Sequence, residues 1–305
     1  MRFIDFIIVF SCSMLLFISC SSVEFEDNIE INNSISTLNK SSSVATKQVL
    51  NLQDINYGEH PEQVYDIYLP EDRSMDITKV IVLIHGGGWR YGDKSSMSAF
   101  IEMIKNSNPN HAIVNMNYVL AKKDSYAFPN QFYDIELLLN ELTSKSYEYQ
   151  ITPEFALIGR SAGAHLALMY DNNYDLQERV KMVCSIAGPT DFTNPFYQEN
   201  PNFNLLFDQL VDHDAFPENT NLVKFLSPTY QISRFSSPTI IFHGNEDTIV
   251  PIQNSIKLRN ELNNKNIPNH LSLFDDEGHG NWSEKTMKVV EDKLNKFIHH
   301  YFSIF

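Results

Sequence analysis

Cysteine is scarce in this chain of 305 residues: there are three, Cys12, Cys20 and Cys184. Two fall within the first twenty residues. The third sits alone in the apolar run Met182-Val-Cys-Ser-Ile186, where a thiol behaves as a small buried hydrophobe. No disulfide can therefore staple the region downstream, and its stability must come from a hydrophobic core. Positive charge is also short, with 23 lysines and arginines against 38 carboxylates, a formal net charge of -15. Such a surface repels polyanions and keeps the protein soluble, so nucleic acid is excluded as a partner. No cluster of histidine, cysteine and carboxylate has zinc-ligand spacing, and no glycine loop has the form of a phosphate cradle. No metal or cofactor is expected, and no internal repeat is present.

A long apolar run is missing too. Phe6-Ile-Ile-Val-Phe10 and Met14-Leu-Leu-Phe-Ile18 lie behind Arg2, but Ser11, Cys12 and Ser13 interrupt them. That is too short for a permanent membrane span and fits a secretory signal. The run ends at Phe17-Ile18-Ser19-Cys20, which resembles a bacterial lipobox with Phe17 at the usual leucine position. The resemblance implies a lipoprotein signal peptide at residues 1–19 and lipidation of Cys20. It further implies an exported bacterial protein, held by its lipid on the periplasmic or cell-surface face; an ordinary signal peptide would make it secreted. Residues 20–47 are rich in Ser, Asn and Glu without any period, as in a flexible tether. A folded domain is expected over 48–305.

Within that domain, short apolar runs alternate with helical patterns. Val64–Leu69, Val80–Ile84, 111–116, 155–158, 182–187, 239–242 and 270–274 read as strands, several without polar alternation, as in a sheet covered on both faces. Helices are expected over 94–106 and 130–145, after the glycine pair around Ser161, and from Pro251. A final helix carries Met287, Val290, Leu294, Phe297 and Tyr301 at helical spacing, which is a packing stripe. The pattern predicts one α/β domain with a mostly parallel, doubly wound sheet and helices on both faces. Residues 191–237 break the rhythm: long, aromatic and proline-bearing, they read as a cap inserted between two strands.

Chemistry concentrates at four places. Gly159-Arg-Ser-Ala-Gly163 puts Ser161 between glycines at a strand-to-helix turn, the arrangement that pushes a weak nucleophile out of a sheet. Asp247 follows the strand at 239–242, and His279 follows the strand at 270–274. The order is nucleophile, acid, histidine, and each lies just past the C-terminal end of a strand, where open parallel sheets build their sites. His279 could take the Ser161 proton while Asp247 fixes its tautomer. His85-Gly-Gly-Gly-Trp89 follows the strand at 80–84 and could aim backbone N–H groups at a developing oxyanion.

Together these residues resemble the serine carboxylesterase and lipase families of the α/β-hydrolase superfamily that carry His-Gly-Gly-Gly-Trp, such as acetylxylan, feruloyl-type and hormone-sensitive-lipase-like esterases. The likeness runs from about Leu50 to Phe305. It implies an α/β-hydrolase fold with a cap, a Ser161, Asp247, His279 triad, and oxyanion donors at Gly87, Gly88 and Ala162. It also implies hydrolysis of carboxylic esters through an acyl-enzyme, on a small-molecule or glycan substrate such as an O-acetyl group. Tyr118-Val-Leu120 stands where relatives often have Tyr-Arg-Leu, and Ala164 where a third glycine is common; both leave the subfamily open. Trp89, Tyr118 and Phe192, with Phe196 and Tyr197, are candidate pocket walls or else packing residues. Asp275 and Asp276 compete with Asp247 as the acid. His85, His165 and His243 read as structural, and Asp93 as a helix cap. The rival functions are a peptidase of the prolyl-oligopeptidase type, a formamidase or amidase, and a non-catalytic protein on the same fold. Oligomeric state is not legible.

Overall fold

The structure is a computed structural model that describes residues 48–123 and 125–303. The expected signal peptide at 1–19, the lipidation site Cys20 and the tether at 20–47 lie outside the described residues.

The chain runs through β1 (Leu50–Asn56), β2 (Val64–Leu69), β3 (Val80–Ile84), α1 (Ser98–Ser107) and β4 (Ala112–Met116). It continues with α2 (Asn130–Ser144), α3 (Ser146–Tyr149), β5 (Phe155–Arg160), α4 (Ala162–Asn173) and β6 (Val180–Ile186). Three short helices follow, α5 (Pro195–Gln198), α6 (Pro201–Leu210) and α7 (Leu222–Phe225). The last elements are β7 (Thr239–Gly244), α8 (Gln253–Asn264), β8 (Asn269–Phe274) and α9 (Glu284–Tyr301).

The strands form an eight-stranded sheet in the order β1-β2-β4-β3-β5-β6-β7-β8. β1 and β2 pair antiparallel at one edge, β2 meets β4 antiparallel, and the remaining pairs are parallel. Every residue of β3 and β4 is buried, because helices cover both faces. Successive residues of β3 feed opposite cores. Val80, Val82 and Ile84 pack with Leu138 of α2, Leu166 of α4 and Leu258 of α8. Ile81 and Leu83 pack with Ile101 and Ile104 of α1 and with Val290 and Leu294 of α9.

Three elements differ from the sequence reading, the shortest being α3, a single turn at Ser146–Tyr149 beyond the helix expected over 130–145. β1 was not anticipated: as an edge strand it pairs on one side only, and most of its residues are exposed, so it lacks an apolar run. The helix expected over 94–106 begins as a 3-10 turn at Lys94–Met97, capped by Asp93, whose Oδ1 accepts from Ser95 N at 2.8 Å. Residues 191–237 fold as α5 to α7 and loops. They are stapled at their start by Asn254, whose Oδ1 accepts from the N–H groups of Thr190 and Asp191, each at 2.8 Å.

Candidate active site

The parallel strands β3, β5, β7 and β8 end on one edge of the sheet, and each delivers one piece of the site. β5 stops at Arg160 and α4 starts at Ala162, so the whole reversal falls on Ser161, at φ 53° and ψ −120°. That conformation is costly for an L-residue and is held by the surroundings. Ser161 N donates to Ile186 O at 2.8 Å, pinning the turn to β6. The flanking glycines are required by close approach. A Cβ on Gly159 would lie 2.2 Å from Gly163 O, and one on Gly163 would lie 2.2 Å from Ile84 O.

The loop after β3 presses on this turn: a Cβ on Gly86 would come 2.9 Å from Arg160 O and 3.0 Å from Ser161 Cβ. Gly87 and Gly88 take φ 127° and 58°, regions open to glycine. Their N–H groups meet no acceptor among the described residues. Ala162 opens α4, where the first N–H groups lack an intrahelical acceptor. The three donors named from sequence thus border the cleft beside Ser161.

The loop is braced from behind. His85 Nδ1 lies 2.7 Å from Gly86 O, and its ring stacks on Tyr118 at 4.3 Å. Burial lowers the His85 pKa, so the ring is a neutral brace. Tyr118 donates from its hydroxyl to His85 O at 3.0 Å. This corrects the expectation that Tyr118 walls the pocket: only 1% exposed, it lies beneath the glycine loop and outside the cleft lining.

His279 joins the two remaining pieces. Its Nε2 is 2.8 Å from Ser161 Oγ, and its Nδ1 is 2.7 Å from Asp247 Oδ2. A carboxylate can only accept, so Nδ1 carries the proton and Nε2 faces the serine hydroxyl as a base. The Asp247 side chain is shielded from solvent and well supplied with donors. Its Oδ1 accepts from Ile249 N at 2.9 Å and Val250 N at 2.8 Å, and His243 Nε2 stands 3.2 Å from Oδ2. Burial alone would raise its pKa, but the hydrogen bonds from His243, His279 and Val250 prevail and hold it well below the usual carboxylate range. Asp275 is turned away to accept from Asn245 Nδ2.

Sequence reasoning assigned His243 to local packing, and the structure gives it a further contact. Ser255 Oγ lies 2.6 Å from its Nδ1, while its Nε2 lies 2.9 Å from Val250 O and faces Asp247. The signal available was its position immediately after the apolar run of β7. His165 is also structural: Nε2 donates to Leu226 O at 2.8 Å, tying the elbow helix to the cap segment.

Ser161 and His279 open onto a cleft of about 570 Å³. Trp89 and Phe192 line it and meet edge to face at 5.9 Å. Phe196, Tyr197, Phe203 and Leu206 complete the side given by residues 191–237, and Ile249 and Val250 the side next to Asp247. The walls are mostly apolar, and Arg160 is a lining residue that sequence reasoning passed over.

Comparison with known proteins agrees with this construction. The BD-FAE family model matches residues 65–262, from β2 through α8, which includes Ser161 and Asp247 and ends before His279. The probable carboxylic ester hydrolase LipM of Mycobacterium tuberculosis is 28% identical over 215 residues, 66% of this chain and 49% of that protein. Kynurenine formamidase of Danio rerio is 27% identical, covering 52% of each chain. The chain spans about half the length of these curated relatives. Among solved structures, a carbohydrate esterase from gut microbiota superposes with a TM-score of 0.68 at 18% identity, over 83% of this chain and 97% of that one. An acetyl ester-xyloside bifunctional hydrolase from Caldicellulosiruptor lactoaceticus gives 0.64 at 18%, over 85% and 98%. These likenesses carry the α/β-hydrolase fold, and with the family model covering most of the sheet, the chain belongs to the BD-FAE family.

Proposed function

We propose that this protein is a serine hydrolase of carboxylic esters, acting through an acyl-enzyme on Ser161. The observation that carries the reading is the continuous relay from Ser161 Oγ to His279 at 2.8 Å and on to Asp247 at 2.7 Å. His279 Nε2 takes the hydroxyl proton as Ser161 Oγ attacks the ester carbonyl carbon. The oxygen that becomes negative turns toward the N–H groups of Gly87, Gly88 and Ala162; one such donor is worth about 10²–10³ in rate. The imidazolium, stabilised by Asp247, then protonates the departing alcohol oxygen, leaving the acyl group on Ser161. A water activated by the same histidine attacks the acyl-enzyme, and the collapse returns a carboxylic acid and the free serine.

The proposed substrates are short acyl esters, O-acetyl groups of glycans in particular. The names of the carbohydrate esterase and the acetyl ester-xyloside hydrolase support that class, and so does the mostly apolar cleft. Export with a lipid anchor at Cys20 belongs to the same proposal and rests on the sequence pattern at 14–22. Among the described residues no helix is long and apolar enough to cross a membrane. The formamidase relative makes amide cleavage the second reading. The test is a panel of acetyl, butyryl and longer acyl esters, acetylated xylan, an N-formyl arylamine and a peptide amide, with wild type and Ser161→Ala. Ester turnover that vanishes in Ser161→Ala is the expected result. Cleavage of the amides without the esters would move the assignment, and turnover surviving in Ser161→Ala would end it.

A further inference from the structure

We infer that Arg160 selects esters whose alcohol part bears a carboxylate, such as an acylated uronic acid; the inference rests on the ester-hydrolase reading above.

Arg160 is the last residue of β5, directly before Ser161, and it lines the cleft. Its guanidinium has no hydrogen-bond or ion-pair partner among the described residues. Several partly or fully buried cations of the domain are paired: Arg179 with Glu136 at 2.9 Å, Lys94 with Asp66 at 2.8 Å, Lys257 with Asp191 at 2.6 Å. Half-burial of the Arg160 guanidinium removes water without replacing it, which leaves its N–H groups open to an anionic ligand in the cleft.

The guanidinium also has a seat. Gly280, directly after His279, takes φ +113°, and a Cβ there would fall 2.2 Å from Arg160 Nη2 and 2.9 Å from Nε. The glycine leaves the planar group room to lie against the backbone beside the base. The cation carried by the residue before the nucleophile therefore lies against the residue after the histidine. None of the residues lining the cleft is an Asp or Glu, so nothing on its walls neutralises the charge. A planar, permanently charged fork with free N–H groups matches the two oxygens of a carboxylate. A neutral acetyl ester would leave it unused.

The test compares two neutral or anionic twins: an O-acetylated methyl galactosiduronic acid and its uronamide, which differ only in charge at one carbon. kcat/KM is measured for both at low salt, with p-nitrophenyl acetate as a neutral reference. Wild type should favour the acid by about tenfold, the size of one partly exposed charge-assisted contact. Arg160→Gln should bring the ratio near one by raising KM for the acid, and Arg160→Lys should keep part of it. Arg90→Gln removes a cation outside the cleft, bonded to Gln209, and should leave the ratio at its wild-type value. A wild-type ratio of one, an unchanged ratio in Arg160→Gln and Arg160→Lys, or an equal fall in Arg90→Gln would each overturn the inference. If p-nitrophenyl acetate itself is untouched, or is cleaved equally by Ser161→Ala, the ester-hydrolase reading fails first and the inference with it.

Discussion

Acidification should loosen the joint between the elbow helix and the cap segment at His165. This residue is completely buried in α4, among the rings of Trp89, Phe128, Phe132 and Phe192 at centroid distances of 5.1–6.0 Å. Nε2 donates to Leu226 O, and Nδ1 has no partner. A second ring proton would sit at Nδ1 with nothing to accept it. Burial therefore lowers the pKa from 6.5 to about 4, only partly countered by the bond to Leu226. Between those values the unfolded chain binds a proton that the folded chain refuses, so stability falls as pH drops through that window and levels off below it. At about 1.4 kcal/mol for each tenfold change in proton affinity, the loss between about pH 7 and about pH 4.5 is about 2–3 kcal/mol. The assay is urea unfolding across that range for wild type and His165→Gln, which keeps an N–H donor and cannot titrate there. The wild-type curve should descend more steeply by that amount. Parallel curves would show that His165 is protonated in the fold and would refute the reasoning.

Further outcomes follow from the same geometry. Gly163→Ala drives a Cβ into Ile84 O, a backbone atom, and should cost about 3 kcal/mol in chemical denaturation. Gly88→Ala meets nothing within 4 Å and should cost only about 1–2 kcal/mol, from its φ of 58°. Asp247→Asn should lower kcat for an acetyl ester by roughly 10³–10⁴-fold while the fold is kept, because the histidine loses its fixed tautomer. Burial pushes the Cys184 thiol up, so its tryptic peptide should resist iodoacetamide in the native protein and label readily in urea.

The parts of the fold read most accurately were those whose physics is local. Val64–Leu69 and Val80–Ile84 coincide with β2 and β3 because turn residues bound both, and β3 is buried on both faces. The Ser161 turn was legible because close packing there admits only glycine at 159 and 163. β1 escaped because an exposed edge strand imposes no apolar pattern. Tyr118 was misplaced because its sequence neighbourhood is silent on which side of the glycine loop its ring falls. The contact of His243 with Asp247 closes within the single turn after β7, four residues apart, and only the folded path of that turn aims the ring at the carboxylate; the seat of Arg160 on Gly280 depends on two loops meeting at the sheet edge, a fact held by topology and not by spacing.

The central claim is that Ser161 is the nucleophile. The most direct measurement is peptide mass spectrometry after reaction with a fluorophosphonate, which phosphonylates an activated serine. The account predicts one adduct, on the peptide containing Ser161, formed as ester turnover is lost and absent in Ser161→Ala. An adduct on another residue, or full loss of turnover with Ser161 unmodified, would contradict it.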